Sequence, residues 1–327
     1  MSMVNLLAGD VGGTTTRLGL FEKTPSRPRE VVAAREFATL DFPDLQTMAA
    51  AFLQAAGRGA ASIESACFGV AGPVAGEVAL LTNVPWRVDA RAVASALNLP
   101  RVSLLNDLEA MAYSLPLLHD SEVHVLQTGR GIASGNIAVI AAGTGLGEAF
   151  LHRVDGRFVA IASEGGHADF AARTERDVRV LRDLVQRYGR AEVEQVVSGR
   201  GLVNIHRVSH TGPCEAAIDL DDPHAPAAIS TAALARRCAA CVETLSVFVD
   251  AYGAEAGNLA LRTVSTGGLF IGGGIAPKIL PALTAGAFLD ALRAKAPFDA
   301  MLGAIPVKVI LNAGAGLLGA ASYCSRT

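Results

Sequence analysis

Two glycine-rich segments of this sequence each follow an apolar run that is typical of a buried β-strand. They are residues 9–15 (GDVGGTT) and residues 143–147 (GTGLG). Glycine turns can point several backbone N–H groups to one side, where they donate to phosphate oxygens. Neither segment matches the dinucleotide-binding fingerprint or the P-loop, because the glycine spacing differs. Each turn alone could be a plain hairpin, whereas the pair predicts two phosphate-binding turns.

Carboxylates follow two of the predicted strands. Asp10 ends the strand before the first glycine turn, where it could hold Mg²⁺ through water, since Mg²⁺ keeps much of its hydration. Asp107 follows the apolar run 102–106, and ligands of α/β proteins bind at the carboxyl ends of strands. A carboxylate there could take the proton of a sugar hydroxyl as a general base, or could simply be a helix N-cap. The spacing leaves both roles open for Asp107.

The segment 164–167 (EGGH) joins a carboxylate and an imidazole on a glycine-containing loop. Both side chains suit neighbouring sugar hydroxyls, because a carboxylate accepts two hydrogen bonds and an imidazole can donate or accept. A site built for hydroxyls rejects analogues that lack them, since its polar groups would stay unpaired. A solvated surface loop is the alternative interpretation.

The pair Cys238 and Cys241 has the spacing of a redox or metal pair. Together with Leu234, Leu245 and Phe248, however, the two cysteines recur at spacings of four and three, which indicates the buried face of one helix. We therefore expect them to pack in the core.

Two polar clusters are also expected to have no chemical role. His206 and His210 are one helical turn apart but lack the glutamate of a zinc-protease helix, so a packed or solvated pair is expected. The acidic segment 219–224 lacks the EF-hand pattern and is expected to be solvated.

Composition restricts the possible partners. The chain has 327 residues and a net charge of −3 without a block of like charges, which argues against nucleic acid or an anionic membrane as a partner. Five cysteines, an odd number, argue against a disulfide scaffold. The N-terminus lacks a basic secretory region, and the uncharged stretches are too short and glycine-rich to span a membrane. A cytoplasmic location is expected.

Strand and helix patterns alternate along the chain, which indicates an α/β fold. The unit of strand, glycine turn and strand occurs twice and predicts two halves that are built alike. The predicted strands are 4–8, 17–21, 66–70, 102–106, 137–141, 148–153, 269–271 and 307–311. The predicted helices are 45–56, 89–97 with Asp89 as cap, 107–115, 174–188 with a capping pair at Thr174 and Asp177, 231–251 and 316–322.

Nine segments in this order resemble one family, the bacterial glucokinases, which are hexokinase-related kinases of the actin-like ATPase fold. The segments are GDVGGTTTRLGL from Gly9, TNVPW from Thr82, LLNDLEAMAYSLP from Leu104, AAGTGLGEAFL from Ala141, SEGGHADFA from Ser163, VVSGRGLVNIH from Val196, GNLAL from Gly257, LFIGGGIAPKIL from Leu269 and NAGAGLLGAAS from Asn312. They keep the family's order over almost the whole chain, and nine such segments together make the resemblance specific.

The resemblance implies an α/β protein of the actin-like ATPase (ribonuclease H-like) fold, with a cleft between two α/β domains. The small domain would be residues 1–117 plus 312–327 and the large domain residues 118–311. The implied activity is that of a glycolytic glucokinase, which transfers the γ-phosphoryl group of ATP to the 6-hydroxyl of glucose with Mg²⁺. The family also implies a homodimer. A kinase for another hexose and a non-catalytic sugar sensor are the alternatives, and the presence of both Asp10 and Asp107 argues against the sensor.

The resemblance also assigns roles to single residues. Asp107 would be the catalytic base, and Asp10 would hold Mg²⁺. The implied ATP-binding residues are Gly9, Asp10, Val11, Gly12, Gly13, Thr14, Gly143, Thr144, Gly145, Gly273 and Gly274. The implied sugar-binding residues are Asn106, Asp107, Gly145, Glu164, His167 and Glu194.

Some positions depart from the family pattern. Glu148 follows the second glycine turn where an apolar residue is more usual, and a carboxylate near phosphate would be unfavourable unless it pointed outward; its role stays open. Thr15 and Thr16 stand in place of Asn-Ala. The chain lacks the zinc-binding cysteine cluster of the repressor-and-kinase group of sugar kinases and its leading helix-turn-helix, which favours the dedicated glucokinase branch.

Overall fold

The computed structural model describes residues 5–24, 27–59, 62–81, 84–209 and 214–326. The chain divides into two compact units. The first unit comprises Met1–His119, Gly156–Ala162 and Asn312–Thr327, and the second comprises Asp120–Asp155 and Ser163–Leu311. The domain boundaries that the resemblance implies, 1–117 plus 312–327 for the small domain and 118–311 for the large one, stay a prediction.

Strands and helices alternate along the described residues. The strands are β1 Asn5–Val11, β2 Thr15–Glu22, β3 Arg29–Ala38, β4 Ile63–Val70, β5 Val74–Ala75, β6 Val78–Leu80, β7 Arg87–Asp89, β8 Val102–Asn106, β9 Val123–Gln127, β10 Ile137–Ala142, β11 Leu146–Val154, β12 Arg157–Ser163, β13 Gly268–Gly272 and β14 Val307–Ile310. The α-helices are α1 Leu45–Ala55, α2 Ala90–Leu97, α3 Asp107–Ser114, α4 Glu175–Tyr188, α5 Gly199–Ser209, α6 Ala225–Leu234, α7 Ala239–Thr263, α8 Leu280–Leu283, α9 Ala287–Arg293, α10 Asp299–Ala304 and α11 Ala315–Arg326.

The first unit is built on a five-stranded sheet of order β3-β2-β1-β4-β8. Strands β1 and β2 form an antiparallel hairpin, while β1, β4 and β8 run parallel. Helix α11 packs against α3 and against β1 and β4. The buried core on this sheet includes Phe52 and Phe68, which are fully or almost fully shielded from solvent. This packing fixes the carboxyl ends of the three parallel strands.

The second unit repeats this arrangement on a sheet that contains the strands β11-β10-β13-β14-β9 in that order. Strands β10 and β11 form the antiparallel hairpin, and β10, β13 and β14 run parallel. Helix α7 packs against α5, α6 and α9 and buries Phe248 and Tyr252 in the core. The order β2-β1-β4-β8 in one sheet thus corresponds to β11-β10-β13-β14 in the other. This correspondence confirms the prediction that two halves are built alike.

The prediction of one long helix over residues 231–251 is wrong. The chain forms α6 and α7 instead, and Arg236 between them has a left-handed φ of 53°, which ends the helical path. Leu234 consequently leaves the predicted stripe and is 37% exposed. Cys238 and Cys241 are buried in the core beside Leu245 and Phe248, as predicted.

Local capping signals were predictive. Thr174 and Asp177 form a reciprocal capping box at the start of α4, and Asp89 caps α2 through the N–H groups of Arg91 and Ala92. These arrangements confirm the predicted helix starts, because each cap depends on residues within one turn. Within the described ranges, no helix combines the length and apolarity needed to cross a bilayer.

Candidate active site

The first glycine turn joins β1 to β2 and is held by a residue far along the chain. Within the turn, the N–H of Gly12 donates to the carbonyl of Thr15 at 3.1 Å. The hydroxyl of Thr39 donates to the carbonyl of Gly12 at 2.8 Å, and its N–H donates to the carbonyl of Thr14 at 2.9 Å. Thr39 is fully buried. The sequence offers no local signal for this role, because Thr39 is brought to the turn only by the pairing of β2 with β3.

Asp10 lies near the end of β1, against the start of α11. A Cβ atom added to Gly316 would lie 2.9 Å from its Oδ2, so the helix approaches the carboxylate closely. Burial raises the pKa of Asp10, and the charge of Arg17 acts in the opposite direction. A nearby cation would favour the ionised form of such a carboxylate, and Mg²⁺ prefers oxygen ligands. The position of Asp10 therefore fits a magnesium ligand, directly or through water.

Asn106 and Asp107 form the junction between β8 and α3. The N-cap of α3 is Asn106, whose Oδ1 accepts from the N–H of Leu108 at 2.9 Å, and Glu109 completes a capping box by accepting from the N–H of Asn106 at 3.0 Å. The alternative role of Asp107 as the N-cap is thus wrong. The Oδ1 of Asp107 also accepts from the N–H of Leu108, at 2.9 Å, which orients its carboxylate. The side-chain amide of Asn106 donates to the carbonyl of Gly72 at 3.3 Å.

The first glycine turn and Asp107 lie at the same edge of the first sheet. Val11 pairs with Val70 across β1 and β4, and Val70 pairs with Asn106 across β4 and β8. Three neighbouring strands therefore end in one row, and the outer two are separated by roughly 10 Å of sheet. A Cβ on Gly69, in the middle strand, would lie 2.7 Å from the Cβ of Ala110, so only glycine lets α3 begin this close to the sheet. This row forms the candidate site of the first unit.

The second glycine turn has the same construction. The N–H of Gly143 donates to the carbonyl of Gly145, and the N–H of Gly199 donates to the carbonyl of Gly143, both at 2.8 Å. The next parallel strand, β13, ends in the glycines 272–274. Gly273 has a φ of 82°, and a Cβ there would collide with the backbone of Ala142. Next to the second glycine turn, the buried hydroxyl of Tyr252 accepts from the N–H of Ala142 at 3.2 Å.

The 164–167 segment and Glu194 lie beside the second glycine turn and contact it or each other. The N–H of Glu194 donates to the carbonyl of Gly166 at 2.8 Å, and the Oε2 of Glu194 accepts from the N–H of Leu146 at 2.9 Å. A Cβ on Gly145 would lie 2.5 Å from the same Oε2. The second glycine turn, the 164–167 segment and Glu194 are therefore one hydrogen-bonded assembly.

The imidazole of His167 is held by a residue that the sequence reasoning missed. Its Nδ1 lies 2.7 Å from a carboxylate oxygen of Glu192. This hydrogen bond, helped by the charge of Glu194, outweighs the effect of burial and raises the pKa of His167. Glu164 is exposed on the same segment. The assembly presents three acidic side chains and one imidazole, a set that suits the hydroxyls of a sugar.

Glu148 lies under this assembly and not on the surface. Its side chain is 1% exposed, and a Cβ on Gly165 would collide with its carboxylate. Burial and the charge of Glu255 raise the pKa of Glu148 to about 7, while Arg262 acts against them. The carboxylate therefore does not point outward to solvent. The carboxyl group points into the second unit, towards α7.

Most predicted site residues fall into two groups, one in each unit, and their individual roles stay predictions. The group in the first unit consists of Gly9, Asp10, Val11, Gly12, Gly13, Thr14, Asn106 and Asp107. The group in the second unit consists of Gly143, Thr144, Gly145, Glu164, His167, Glu194, Gly273 and Gly274. Three residues named in the sequence analysis, Thr82, Asn83 and His210, lie outside the described residues.

Comparisons with known proteins agree on one family. The family model described as Glucokinase matches residues 7–327. The glucokinase of Nostoc punctiforme is 39% identical over 342 residues, which cover 99% of this chain and 100% of that protein. The glucokinase of Yersinia enterocolitica is 36% identical and covers 97% of this chain and 95% of that protein. The solved glucokinase from an Antarctic psychrotroph has a TM-score of 0.84 at 29% identity, with 99% of each chain covered.

A second solved structure of similar fold is that of a kinase with bound ligands. It is a ROK family glucokinase from Streptomyces griseus in complex with glucose and AMPPNP, with a TM-score of 0.67, 22% identity, and 99% of this chain and 100% of that chain covered. At this identity the likeness concerns the fold, which is that of the actin-like ATPases. Together with the family match, it leads to one conclusion: this chain belongs to the glucokinase family.

Proposed function

We propose that this chain phosphorylates glucose at its 6-hydroxyl with the γ-phosphoryl group of ATP, and that Asp107 is the base that takes the hydroxyl proton. ATP-dependent glucose kinase activity follows from membership of the family. The assignment of Asp107 rests on one observation above all. It directly follows the last residue of the row Val11, Val70 and Asn106, at the edge of the sheet that carries the first glycine turn.

The local structure of Asp107 suits a general base. Its Oδ1 accepts from the N–H of Leu108, so the carboxylate is oriented before any substrate binds. It is the first residue of α3, where the helix dipole favours the ionised form. A carboxylate that is oriented and ionised can take the proton as the sugar oxygen attacks phosphorus, which leaves the proton on Asp107 and ADP as the leaving group.

The glycine turns would position the phosphates. Each hairpin has a tight turn, and backbone N–H groups of such turns can stabilise charge on the transferred phosphoryl group without covalent chemistry. Asp10 would hold Mg²⁺, which neutralises phosphate charge when it is bound with ATP. Gly273 and Gly274, beside the second turn, would lie along the adenosine moiety.

For the sugar, the proposal assigns Asn106 and Asp107 of the first unit and Gly145, Glu164, His167 and Glu194 of the second. The hydrogen-bonded assembly around Glu194 supports the second set, because it fixes acceptors and an imidazole relative to one another. Selectivity for glucose over another hexose is part of the proposal, as are a cytoplasmic location and a homodimer.

The test compares Asp107→Asn with a matched control. Asp89→Asn changes another carboxylate at a helix start in the same unit, where Asn is also a good N-cap. We expect Asp107→Asn to lower kcat by roughly 100- to 10,000-fold, the usual contribution of a general base, with the Kd for glucose changed little. Asp89→Asn should keep the wild-type kcat. Coupled assays for glucose 6-phosphate give kcat, and calorimetry gives Kd.

Two results would contradict parts of the proposal. A near-normal kcat for Asp107→Asn would remove the assigned base and leave the activity unexplained. Glucose binding by the wild type without product formation from ATP and Mg²⁺ would favour the non-catalytic sugar sensor. A panel of hexoses, compared by kcat/KM, would identify another hexose as the substrate if glucose did not rank first.

A further inference from the structure

Four side chains with soft or borderline ligand atoms meet in the second unit, away from both glycine turns in sequence. His206 lies on α5, Cys214 follows α5, and Cys238 and Cys241 lie at the start of α7. The ligand atoms of His206, Cys214 and Cys241 all lie within 4.8 Å of one another. The sulfur of Cys238 lies 3.5 Å from that of Cys214. We call these four residues the His206 cluster.

The sulfur separations match those of thiolates on one tetrahedral metal. Zinc binds thiolate at about 2.3 Å, so two sulfurs on corners of a regular tetrahedron lie roughly 3.8 Å apart. The sulfur of Cys214 lies 3.5 Å from that of Cys238 and 3.9 Å from that of Cys241. A disulfide would need sulfurs at about 2.0 Å, and the cysteines of the described residues are free thiols.

The orientation of His206 follows from its hydrogen bonds. The hydroxyl of Thr244 donates to the carbonyl of Ala240 at 2.7 Å, so its only proton is used there. The Nδ1 of His206 lies 2.9 Å from the same hydroxyl oxygen and must therefore donate to it. In the neutral imidazole the proton therefore lies on Nδ1 and the lone pair on the buried Nε2. Metal-binding histidines commonly donate their second ring N–H in this way.

The two α7 cysteines lie at the positive end of the helix dipole, whereas burial raises the pKa of the Cys241 thiol. Cys238 is the N-cap of a 25-residue helix and Cys241 lies in its first turn. The positive end of the helix dipole stabilises an anionic sulfur there. Cys214 is partly exposed, while the other three residues are buried, so a metal ion can reach the cluster from the side of Cys214.

We propose that the His206 cluster binds a structural zinc ion that ties the end of α5 to the start of α7. Four protein ligands close the coordination shell, as in structural and not catalytic zinc sites. Binding requires the thiols to lose their protons to solvent, so affinity rises with pH. The ion would stabilise the second unit and take no part in phosphoryl transfer, which goes beyond the proposed function.

The test measures metal content in the full-length chain without an affinity tag. The protein is expressed with added Zn²⁺, purified with a non-thiol reductant, and analysed by mass spectrometry for metals. We expect about one zinc per chain in the wild type. Cys214→Ser and His206→Gln should each retain less than a tenth of that zinc. Two controls should keep the full zinc content: Cys324→Ser, a buried cysteine of the first unit, and Asp10→Asn, at the proposed magnesium ligand.

Spectroscopy on the unmodified chain keeps the proposal testable if a variant misfolds. Apo wild-type protein, prepared with a chelator and titrated with Co²⁺ alone, should show thiolate-to-cobalt charge-transfer bands and the intense visible bands of tetrahedral coordination. Zn²⁺ should remove both sets of bands stoichiometrically. Absence of zinc in the wild type together with a featureless cobalt titration would overturn the proposal. So would full zinc content in Cys214→Ser, or a disulfide among Cys214, Cys238 and Cys241 in the purified chain.

Discussion

The carboxylate of Glu194 accepts a hydrogen bond of 2.9 Å from the backbone N–H of Leu146, which lies in the second glycine turn and begins β11. A side chain assigned to the sugar is therefore fastened to a turn assigned to phosphate. One oxygen of Glu194 is committed to this contact, so its geometry depends on the turn. A change at either residue should affect the other.

Replacement of Glu194 should separate its two roles. Glu194→Ala removes the acceptor of a partly buried N–H, which costs about 1–3 kcal/mol of folding free energy, and it also removes a sugar ligand. Glu194→Gln keeps an acceptor for Leu146 but loses the charge. We expect both variants to raise the KM for glucose at least several-fold, and only Glu194→Ala to lower the free energy of unfolding clearly. Glucose KM and urea unfolding measure the two effects, with Glu215→Gln, at an exposed glutamate of the same unit, as control. An unchanged KM in both variants would remove Glu194 from the sugar site.

The close approach at Gly145 predicts a steric effect. A Cβ there would lie 2.5 Å from the Oε2 of Glu194, so Gly145→Ala must displace that carboxylate. We expect the KM for glucose to rise by about tenfold, the equivalent of roughly 1.4 kcal/mol. Gly303→Ala in α10 is the matched control, because its Cβ would meet no atom within 4 Å. Equal KM values for the two variants would contradict the predicted displacement.

The fold could be predicted from the sequence where its signals are local. The strand at 102–106 and the capping pair Thr174 and Asp177 depend on residues within a few positions of one another, and both were predicted correctly. The break between α6 and α7 was missed, because Arg236 adopts a left-handed φ although the sequence has no glycine or proline there to predict the end of a helix.

The candidate site was predictable only in part, for a related reason. In the glycine turns and in the EGGH segment, the residues expected to bind ligands are adjacent in the sequence, so a local pattern marks them. Thr39, Glu192 and Tyr252 act through contacts with residues that lie 25 or more positions away, so no local pattern marks them. The sequence left the orientation of Glu148 open, because the charges that face it, Glu255 and Arg262, lie on α7, over a hundred positions further along.

Thr39 offers a test of the first glycine turn. Thr39→Val keeps the shape of the side chain but removes the hydroxyl that donates to the carbonyl of Gly12, whereas Thr39→Ser retains a hydroxyl. Since this contact orients the turn, we expect Thr39→Val to raise the KM for ATP several-fold and Thr39→Ser to stay near the wild type. The KM for glucose should change little in both. The role assigned to Thr39 fails if the two variants have the same KM for ATP.

The contact of His167 with Glu192 predicts a pH effect. The hydrogen bond with Glu192 raises the pKa of His167 above its ordinary value of 6.5. Glu192→Gln should therefore lower that pKa, and the part of the pH profile of kcat/KM for glucose that follows His167 should move to lower pH. Ring-proton NMR of His167, assigned with His167→Gln, measures the pKa directly. A pKa that does not move in Glu192→Gln would show that another group controls this histidine.

Glu148 predicts a change in the pH dependence of stability. Its pKa is raised from the ordinary 4.5 to about 7 in the folded chain, so folding favours the protonated form. The contribution of this residue to stability is fully present below pH 4.5 and is lost as the pH rises through 7. Glu148→Gln is neutral at every pH and avoids this loss. We expect the variant to match the wild type near pH 4.5 and to exceed its free energy of unfolding near pH 8 by up to a few kcal/mol.

The measurement is urea unfolding of both proteins at several pH values between 4.5 and 8. Glu215→Gln, at an exposed glutamate of the same unit, controls for the loss of one surface charge. Glu255 and Arg262 face Glu148 from α7, and Arg262→Gln should enlarge the difference, because it removes the charge that opposes the raised pKa. If Glu148→Gln and Glu215→Gln gave parallel curves across this range, the buried carboxyl group could not be the source of the pH dependence.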